Sequence, residues 1–146
     1  MSFKNLYQLL CFLLVFPVSA KDLYFQHVDL NDGFTQPSAI SIYEDARGYI
    51  WFGNDNFNVY DGRIVRSFRL STYMDGVEDN NIHAICGDGE AFVYMLANNR
   101  LIAYNMRTEE FRRTDISANT LTYENRYLYY SSKNTLYRYR LAGGPE

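Results

Sequence analysis

This 146-residue sequence has no excess of positive charge, few cysteines and little proline, and each shortage excludes a class of protein. Its 14 basic side chains are outnumbered by 17 acidic ones, so it lacks the basic surface of a strong nucleic-acid binder. Three prolines and 47% hydrophobic residues exclude collagen-like, low-complexity and disordered chains. We therefore expect a folded core, and the 14 tyrosines and 10 phenylalanines favour strands.

A long apolar run is also missing, because the main apolar stretch covers only residues 9–16. Lys4 precedes this stretch, and Val18-Ser19-Ala20 follows it with small residues. This order predicts a secretory signal peptide at residues 1–20, cleaved after Ala20. A membrane anchor is the alternative, but a spanning helix needs roughly 20 apolar residues, and Pro17 ends this run early.

Beyond the predicted signal peptide, Cys86 is the only cysteine and no Asn-x-Ser/Thr sequon occurs. A single cysteine forms no internal disulfide, so the expected product is a secreted domain stabilised by its core. Charge is distributed unevenly along the chain. Residues 21–99 hold 5 basic and 12 acidic side chains, whereas residues 100–146 hold 8 basic and 5 acidic ones.

Helical spacing is almost absent, and the apolar residues occur in short runs separated by turn signals. The sequence therefore predicts an all-β fold. The predicted strands are 23–28, 40–43, 50–52, 57–60, 65–70, 82–86, 92–96, 100–104, 111–115, 121–123, 127–131 and 136–141.

These strands repeat along the chain. Residues 92–104 match residues 127–139 at an offset of 35, and Tyr60 of the earlier copy precedes Tyr104 by 44. A period of this size with four short strands per unit is typical of β-propeller blades. We predict three blades of four-stranded antiparallel sheets, at about 38–80, 81–116 and 117–146, with 23–28 as a candidate closing strand. Closed propellers have at least four blades, so this propeller would be incomplete.

The first repeat has the clearest structural motif. We expect Asp45 to accept hydrogen bonds from backbone N–H groups of a turn that Gly48 closes. Trp51 is expected to pack between sheets, and Gly53 to permit a close backbone approach. The motif consists of Asp45, Gly48, Trp51, Gly53, Tyr60, Asp61 and Gly62.

Residues 25–34, 42–53 and 59–62 together resemble the opening of a two-component regulator propeller. That family has a "dGLs" entry followed by "D-x-x-G-x-I/L-W-x-G-T" and "G-L-x-x-Y-D-G". This sequence departs from the pattern at Asn54, where the family has Thr, and at Asn56-Phe57, where it has Gly-Leu. The second and third units lack the tryptophan motif.

The resemblance implies the periplasmic sensor region of a hybrid two-component system, with an oligosaccharide as ligand. It implies as partners the remaining blades and the downstream sensor-kinase domains of a longer chain, and it predicts no direct contact with nucleic acid. A homodimer is a further candidate assembly. The chain has only His27 and His83 and no Gly-rich nucleotide loop, so we expect no kinase chemistry, no catalytic residue and no cofactor.

Two other functions fit parts of the sequence. A free-standing secreted module that binds carbohydrate or protein would carry the same repeats without signalling. The Asp45, Gly48 and Trp51 spacing also resembles the Asp-box of sialidase-like glycoside hydrolases. Those enzymes need an arginine cluster and a Tyr/Glu pair from several blades, whereas here Glu109-Glu110 and Arg112-Arg113 fall in one loop.

No metal or ligand site can be assigned from spacing alone. His83 and Cys86 could serve a metal, but with His27 they lack the fourth ligand of a tetrahedral site. Residues 87–89 lack the third glycine of a dinucleotide loop. Residues 29–40 resemble a calcium loop, but glycine is at the fifth position instead of the sixth, and the twelfth position is Ile40 instead of an acidic ligand. The exposed candidates for ligand binding are Tyr73, Arg66, Arg69 and Tyr130, which the sequence does not rank.

Overall fold

The computed structural model describes residues 38–77 and 81–141. The predicted signal peptide at 1–20 and the candidate closing strand at 23–28 lie outside these residues. The elements are β1 (Ser41–Glu44), β2 (Ile50–Gly53), β3 (Phe57–Tyr60), β4 (Val65–Phe68), α1 (Leu70–Tyr73), β5 (Ile82–Gly87), β6 (Phe92–Ala97), β7 (Arg100–Asn105), β8 (Glu110–Ser117), β9 (Thr120–Glu124), β10 (Tyr127–Ser132) and β11 (Thr135–Arg140).

The strands form three antiparallel sheets in which neighbours along the chain pair with each other. Sheet 1 contains β1 to β4, sheet 2 contains β5 to β8, and sheet 3 contains β9 to β11. The prediction of an all-β fold built from about three propeller blades is confirmed. Sheet 3 has three strands among the described residues, one fewer than the other two sheets. In the described part of the chain, no helix has the length and apolarity needed to span a bilayer.

Sheets 2 and 3 share a strand spacing that follows the sequence repeat. β10 begins and ends 35 residues after β6, and β11 begins and ends 35 residues after β7. Both β-hairpins turn through two residues with positive φ, at Asn98-Asn99 and at Lys133-Asn134. Such two-residue turns match the right-handed twist of the flanking strands, and asparagine tolerates their left-handed conformation.

Two hydrophobic layers hold the sheets together. Between sheets 1 and 2, buried Trp51 and Phe57 pack with Met95, Ile102 and Tyr104. Between sheets 2 and 3, the buried residues are Cys86, Tyr94, Leu96, Leu101, Ala118 and Leu128. Each strand of sheet 2 therefore contributes side chains to both layers, as expected for a sheet covered on both faces.

The connections between sheets differ in length. β4 ends at Phe68, where the sequence predicts a strand to residue 70, and α1 follows at once. Leu70 of α1 is fully buried in the layer between sheets 1 and 2. The connection from β8 to β9 is only Ala118-Asn119. A helical turn therefore fills the outer space between sheets 1 and 2, and sheet 3 has no counterpart among the described residues.

Candidate ligand-binding surfaces

The turn between β1 and β2 is organised by the buried carboxylate of Asp45. Its Oδ1 accepts from the backbone N–H of Arg47 at 2.9 Å and of Tyr49 at 3.1 Å. Its Oδ2 accepts from Trp51 Nε1 at 3.0 Å and from Arg47 Nη2 at 2.6 Å. Gly48 closes the turn with φ +81°. The carboxylate is thus occupied by its own turn and by the tryptophan of the next strand.

The same contacts set the charge state of Asp45. Burial by itself raises the pKa of this carboxyl group. The hydrogen bonds from the side chains of Arg47 and Trp51 and from two backbone N–H groups outweigh burial, so its pKa lies below the ordinary value of 3.8. Asp45 is therefore an ionised structural acceptor and not a proton donor at neutral pH.

Other turns at this end of the sheets use an acceptor in the same way. Asp88 Oδ1 accepts from the backbone N–H groups of Glu90, Ala91 and Phe92. Asp61 Oδ1 accepts from the N–H groups of Arg63 and Ile64 at 2.9 Å, next to Gly62 and Tyr60. We call this edge of the sheets the turn end. Its carboxylates accept hydrogen bonds from backbone N–H groups and so stabilise the turns.

Trp51 and Gly53 lie at the contact between sheets 1 and 2. The indole is 2% exposed and stacks on Phe57 at 5.1 Å between ring centroids. A Cβ on Gly53 would lie 2.5 Å from the carbonyl oxygen of Ile82 in β5. The structure therefore places these two residues of the motif at the contact between sheets 1 and 2.

The opposite edge of the sheets carries a row of asparagines that we call the amide arc. It consists of Asn54, Asn81, Asn98, Asn99 and Asn119, which lie in the connections of sheets 1, 2 and 3.

Hydrogen bonds connect neighbouring positions of the amide arc, both within sheet 2 and between sheets 1 and 2. The N–H of Ile82 donates to the Asn54 carbonyl at 2.8 Å, and the N–H of Asn98 donates to the Asn81 carbonyl at 3.3 Å. Asn99 Nδ2 donates to Asn119 Oδ1 at 3.1 Å. The arc is therefore one connected surface and not a set of separate turns.

The arc has the chemistry of a polar binding surface. Each primary amide offers two donors and one acceptor oxygen, and four of the five asparagines are exposed. Asn54 is the exception, at 1% exposed, and its Nδ2 is a buried donor with no partner among the described residues. Sequence reasoning missed this surface because each asparagine by itself is only a turn signal.

A second concave region, the lateral cleft, lies between sheets 2 and 3 and has a volume of about 1060 Å³. Its walls include Tyr94 and Arg112 of sheet 2 and Tyr139 of sheet 3. The corresponding space between sheets 1 and 2 is filled by β4, α1 and the ring of Phe111, which lies 4.7 Å from Tyr104. Sheet 3 has no counterpart of β4 or α1 among the described residues.

The four residues that the sequence singles out as exposed ligand-binding candidates do not converge. The ring of Tyr73 contacts that of Phe111 at the rim of the lateral cleft, with centroids 5.1 Å apart and an interplanar angle of 43°. Arg66 Nη1 lies 3.8 Å from Glu109 at the outer strands, and Arg69 immediately precedes α1. Tyr130 stacks on Tyr137 in sheet 3 at 5.1 Å. They therefore do not form one site.

The residues considered for catalysis and for metal binding are also dispersed. Glu109, Glu110 and Arg112 line the lateral cleft, whereas Arg113 lines a separate cavity of about 200 Å³. Burial raises the pKa of the Cys86 thiol to about 12. Within residues 38–77 and 81–141, no three His, Cys, Asp or Glu side chains are grouped to hold a metal ion. His27 lies outside these residues.

The resemblance inferred from the sequence is confirmed by comparison with known proteins. The two component regulator propeller family model matches residues 33–56, which contain the Asp45 turn and Trp51. The extracellular domain of a putative hybrid two component system from B. thetaiotaomicron has a similar fold, with a TM-score of 0.59 and 18% sequence identity. This similarity covers 72% of the present chain and 17% of the other chain. No curated protein matches the sequence.

Proposed function

We propose that the chain is part of the periplasmic sensing region of a hybrid two-component regulator and that it binds carbohydrate at the amide arc. In this proposal the chain recognises its ligand without catalysing a reaction, and kinase and output domains belong to a longer protein. The two component regulator propeller repeat at residues 33–56 supports the signalling context. The solved domain with a similar fold is described as extracellular, which supports a periplasmic location.

The amide groups of the arc are the reason for proposing a carbohydrate as the ligand. Sugar hydroxyls act both as donors and as acceptors, and a primary amide presents the complementary pair of groups at a fixed spacing. The exposed amides of Asn99 and Asn119, which hydrogen-bond to each other at 3.1 Å, are the observation that favours a polar ligand most directly.

The stacked pair Tyr130 and Tyr137 adds an aromatic surface to the same region. Their rings are nearly parallel, with an interplanar angle of 12°, and Tyr137 is 43% exposed. Ser131, next to Tyr130, accepts a hydrogen bond from the N–H of Asn119 at 2.8 Å. Aromatic faces and amides near each other suit a sugar ring, which has apolar C–H faces and polar edges.

The proposal is tested by titrating ¹⁵N-labelled protein with tetrasaccharides of glucose, xylose, mannose or galacturonic acid and following the side-chain NH₂ signals of asparagine. We expect one sugar class to shift the signals of Asn99 and Asn119 in a saturable way. Asn119→Ala should weaken binding by about 5- to 13-fold, since one lost hydrogen bond in a polar site is worth about 1–1.5 kcal/mol.

A matched control separates loss of contacts from loss of turn geometry. Asn99 has φ +60° and Asn125 has φ +52°, so both occupy left-handed turn positions, but Asn125 lies at the turn end. Asn99→Asp should weaken sugar binding, whereas Asn125→Asp should leave it unchanged. Shifts confined to the turn end or to the lateral cleft, or no shift with any sugar at millimolar concentration, would contradict the proposal.

A further inference from the structure

A cavity with two arginines in its walls adjoins the amide arc and adds a positive charge that the arc itself lacks. This cavity, which we call the arginine cavity, has a volume of about 200 Å³. Its walls include Arg100, Ile102 and Arg113 of sheet 2, Asn98 of the amide arc, and Gly76 after α1. It has room for several water-sized groups, and no acidic side chain is among the described residues that line it.

The strand register brings the two arginines to the same wall. Arg113 of β8 pairs with Ile102 of β7, and Arg100 lies two residues before Ile102. The arginines are therefore diagonal neighbours on the face of sheet 2 that is turned towards sheet 1, where Ile102 is buried. Diagonal neighbours on a sheet lie about 7–8 Å apart, which is within reach of long side chains.

An irregularity in β8 lies beside the arginine pair. The pairing of β7 with β8 shifts next to Leu101, so that residues 114–116 are accommodated opposite this one residue. Thr114 Oγ1 fixes the irregularity, since it donates to the Leu101 carbonyl at 2.9 Å and accepts from the N–H of Ile116 at 3.2 Å. Irregularities of this kind are frequent next to functional sites, where they redirect a side chain.

The described part of the chain does not neutralise the charges of this pair. Neither guanidinium makes an ion pair with a described residue, whereas Arg47 and Arg66 do. Two like charges at this spacing repel each other, and an anion between them would remove the repulsion. The chain as a whole has a formal net charge of -3, so the pair is a local anion site and not part of a basic surface for nucleic acid.

Asn98 connects the arginine cavity with the amide arc. Its side chain lines the cavity, and the next residue, Asn99, donates from Nδ2 to Asn119 at 3.1 Å. We propose that the oligosaccharide bound at the arc is acidic and that Arg100 and Arg113 bind the carboxylate of one of its uronate units. A carboxylate suits the pair because its two oxygens match the N–H groups of a planar guanidinium. This inference rests on the proposed function and specifies the class of sugar.

Isothermal titration calorimetry with two matched ligands tests the requirement for charge. Tetragalacturonate and its fully methyl-esterified form have the same sugar rings, but only the first carries carboxylates. We expect the acid to bind about tenfold or more tighter than the ester, because a hydrogen bond to a charged group is worth more than a neutral one. The difference should decrease as NaCl is added, since salt screens exposed charges. Equal affinity for acid and ester would overturn the inference.

Glutamine variants test the two arginines, because glutamine removes the charge but keeps a polar side chain. Arg100→Gln and Arg113→Gln should each weaken binding of the acid about fivefold or more and leave binding of the ester unchanged. The matched control is Arg112→Gln. Arg112 is next to Arg113 in β8, but it pairs with Ala103 and lines the lateral cleft. The control should bind both ligands like the parent protein, and an equal loss of acid binding in all three variants would contradict a specific site.

A purely structural role for the arginines predicts a different result. Glu78 and Asp79, which lie outside the described residues, would then be their counter-ions. The glutamine variants would melt at a lower temperature than the parent, and they would still bind acid and ester with the parent affinities. Unchanged binding together with a lowered Tm would therefore overturn the inference.

The side-chain signals of ¹⁵N-labelled protein distinguish failure of this inference from failure of the proposed function. Arginine Nε signals report on the cavity, and asparagine NH₂ signals report on the arc. If acid and ester shift the asparagine signals with equal affinity, only the inference fails. If the acid shifts the Nε signals of Arg100 and Arg113 while the asparagine signals stay in place, the arc is refuted and the cavity is confirmed as an anion site. No shift with either ligand would refute both proposals.

Discussion

Replacing Trp51 with alanine tests whether the layer between sheets 1 and 2 stabilises the first repeat. The indole is 2% exposed and lies between Phe57, at 5.1 Å between centroids, and Tyr104 of sheet 2, at 5.5 Å. Its Nε1 also donates to Asp45 Oδ2 at 3.0 Å. Truncation therefore leaves a cavity between two sheets and removes one donor from a buried carboxylate.

The expected cost follows from these contacts. Truncating a fully buried tryptophan costs about 3–5 kcal/mol in the free energy of unfolding. The lost donor adds little, because Arg47 still donates to Asp45 from its backbone N–H and its guanidinium. For a domain of this size each kcal/mol lowers Tm by about 3–5 °C, so we expect a decrease of about 10–25 °C.

Thermal and urea unfolding followed by far-UV circular dichroism measure this effect, with two comparison variants. Trp51→Phe keeps an aromatic ring but loses the hydrogen bond to Asp45, so it should cost clearly less than Trp51→Ala. Ile64→Ala, at a position that is 56% exposed, should change stability by less than about 0.5 kcal/mol. If Trp51→Ala melted like the parent protein, the packing between sheets 1 and 2 described above would be refuted.

Three further predictions concern pH, close backbone approach and thiol reactivity. Because the pKa of Asp45 is lowered from 3.8, its contribution to stability is present above that pH and is lost as pH falls through the lowered pKa. Urea midpoints of Asp45→Asn should therefore lie below those of the parent at pH 6 and approach them at pH 2. Gly53→Ala should destabilise by about 3 kcal/mol, because its Cβ would meet the Ile82 carbonyl oxygen. Gly62→Ala, in open space at φ +93°, should cost only about 1–2 kcal/mol in the same urea titrations. Cys86, whose pKa burial raises to about 12, should react with a thiol reagent at pH 8 only after unfolding. Rapid labelling of the native protein would show that sheet 3 does not cover it.

Local features of the fold could be predicted from the sequence because they depend on near neighbours. Alternating apolar residues and Asx or Gly turn signals predict most strands to within one or two residues. The repeat of 35 residues recurs as the spacing between β6 and β10. The turn at Asp45 is also local, since all its hydrogen-bond donors lie within six residues. In each case the residues that interact are close together in the chain.

Features that depend on how the sheets stack were decided only by the tertiary structure. The strand predicted at 65–70 ends at Phe68 and Leu70 begins α1, because burying Leu70 between sheets 1 and 2 outweighs its local strand preference. The amide arc joins asparagines from positions 54 to 119, and the hydrogen bond between the N–H of Ile82 and the Asn54 carbonyl exists only because sheet 2 lies beside sheet 1. Local patterning specifies each sheet, but it carries no information about which residues of different sheets meet. Which residues of different sheets come into contact is determined by the packing of one apolar sheet face against the next.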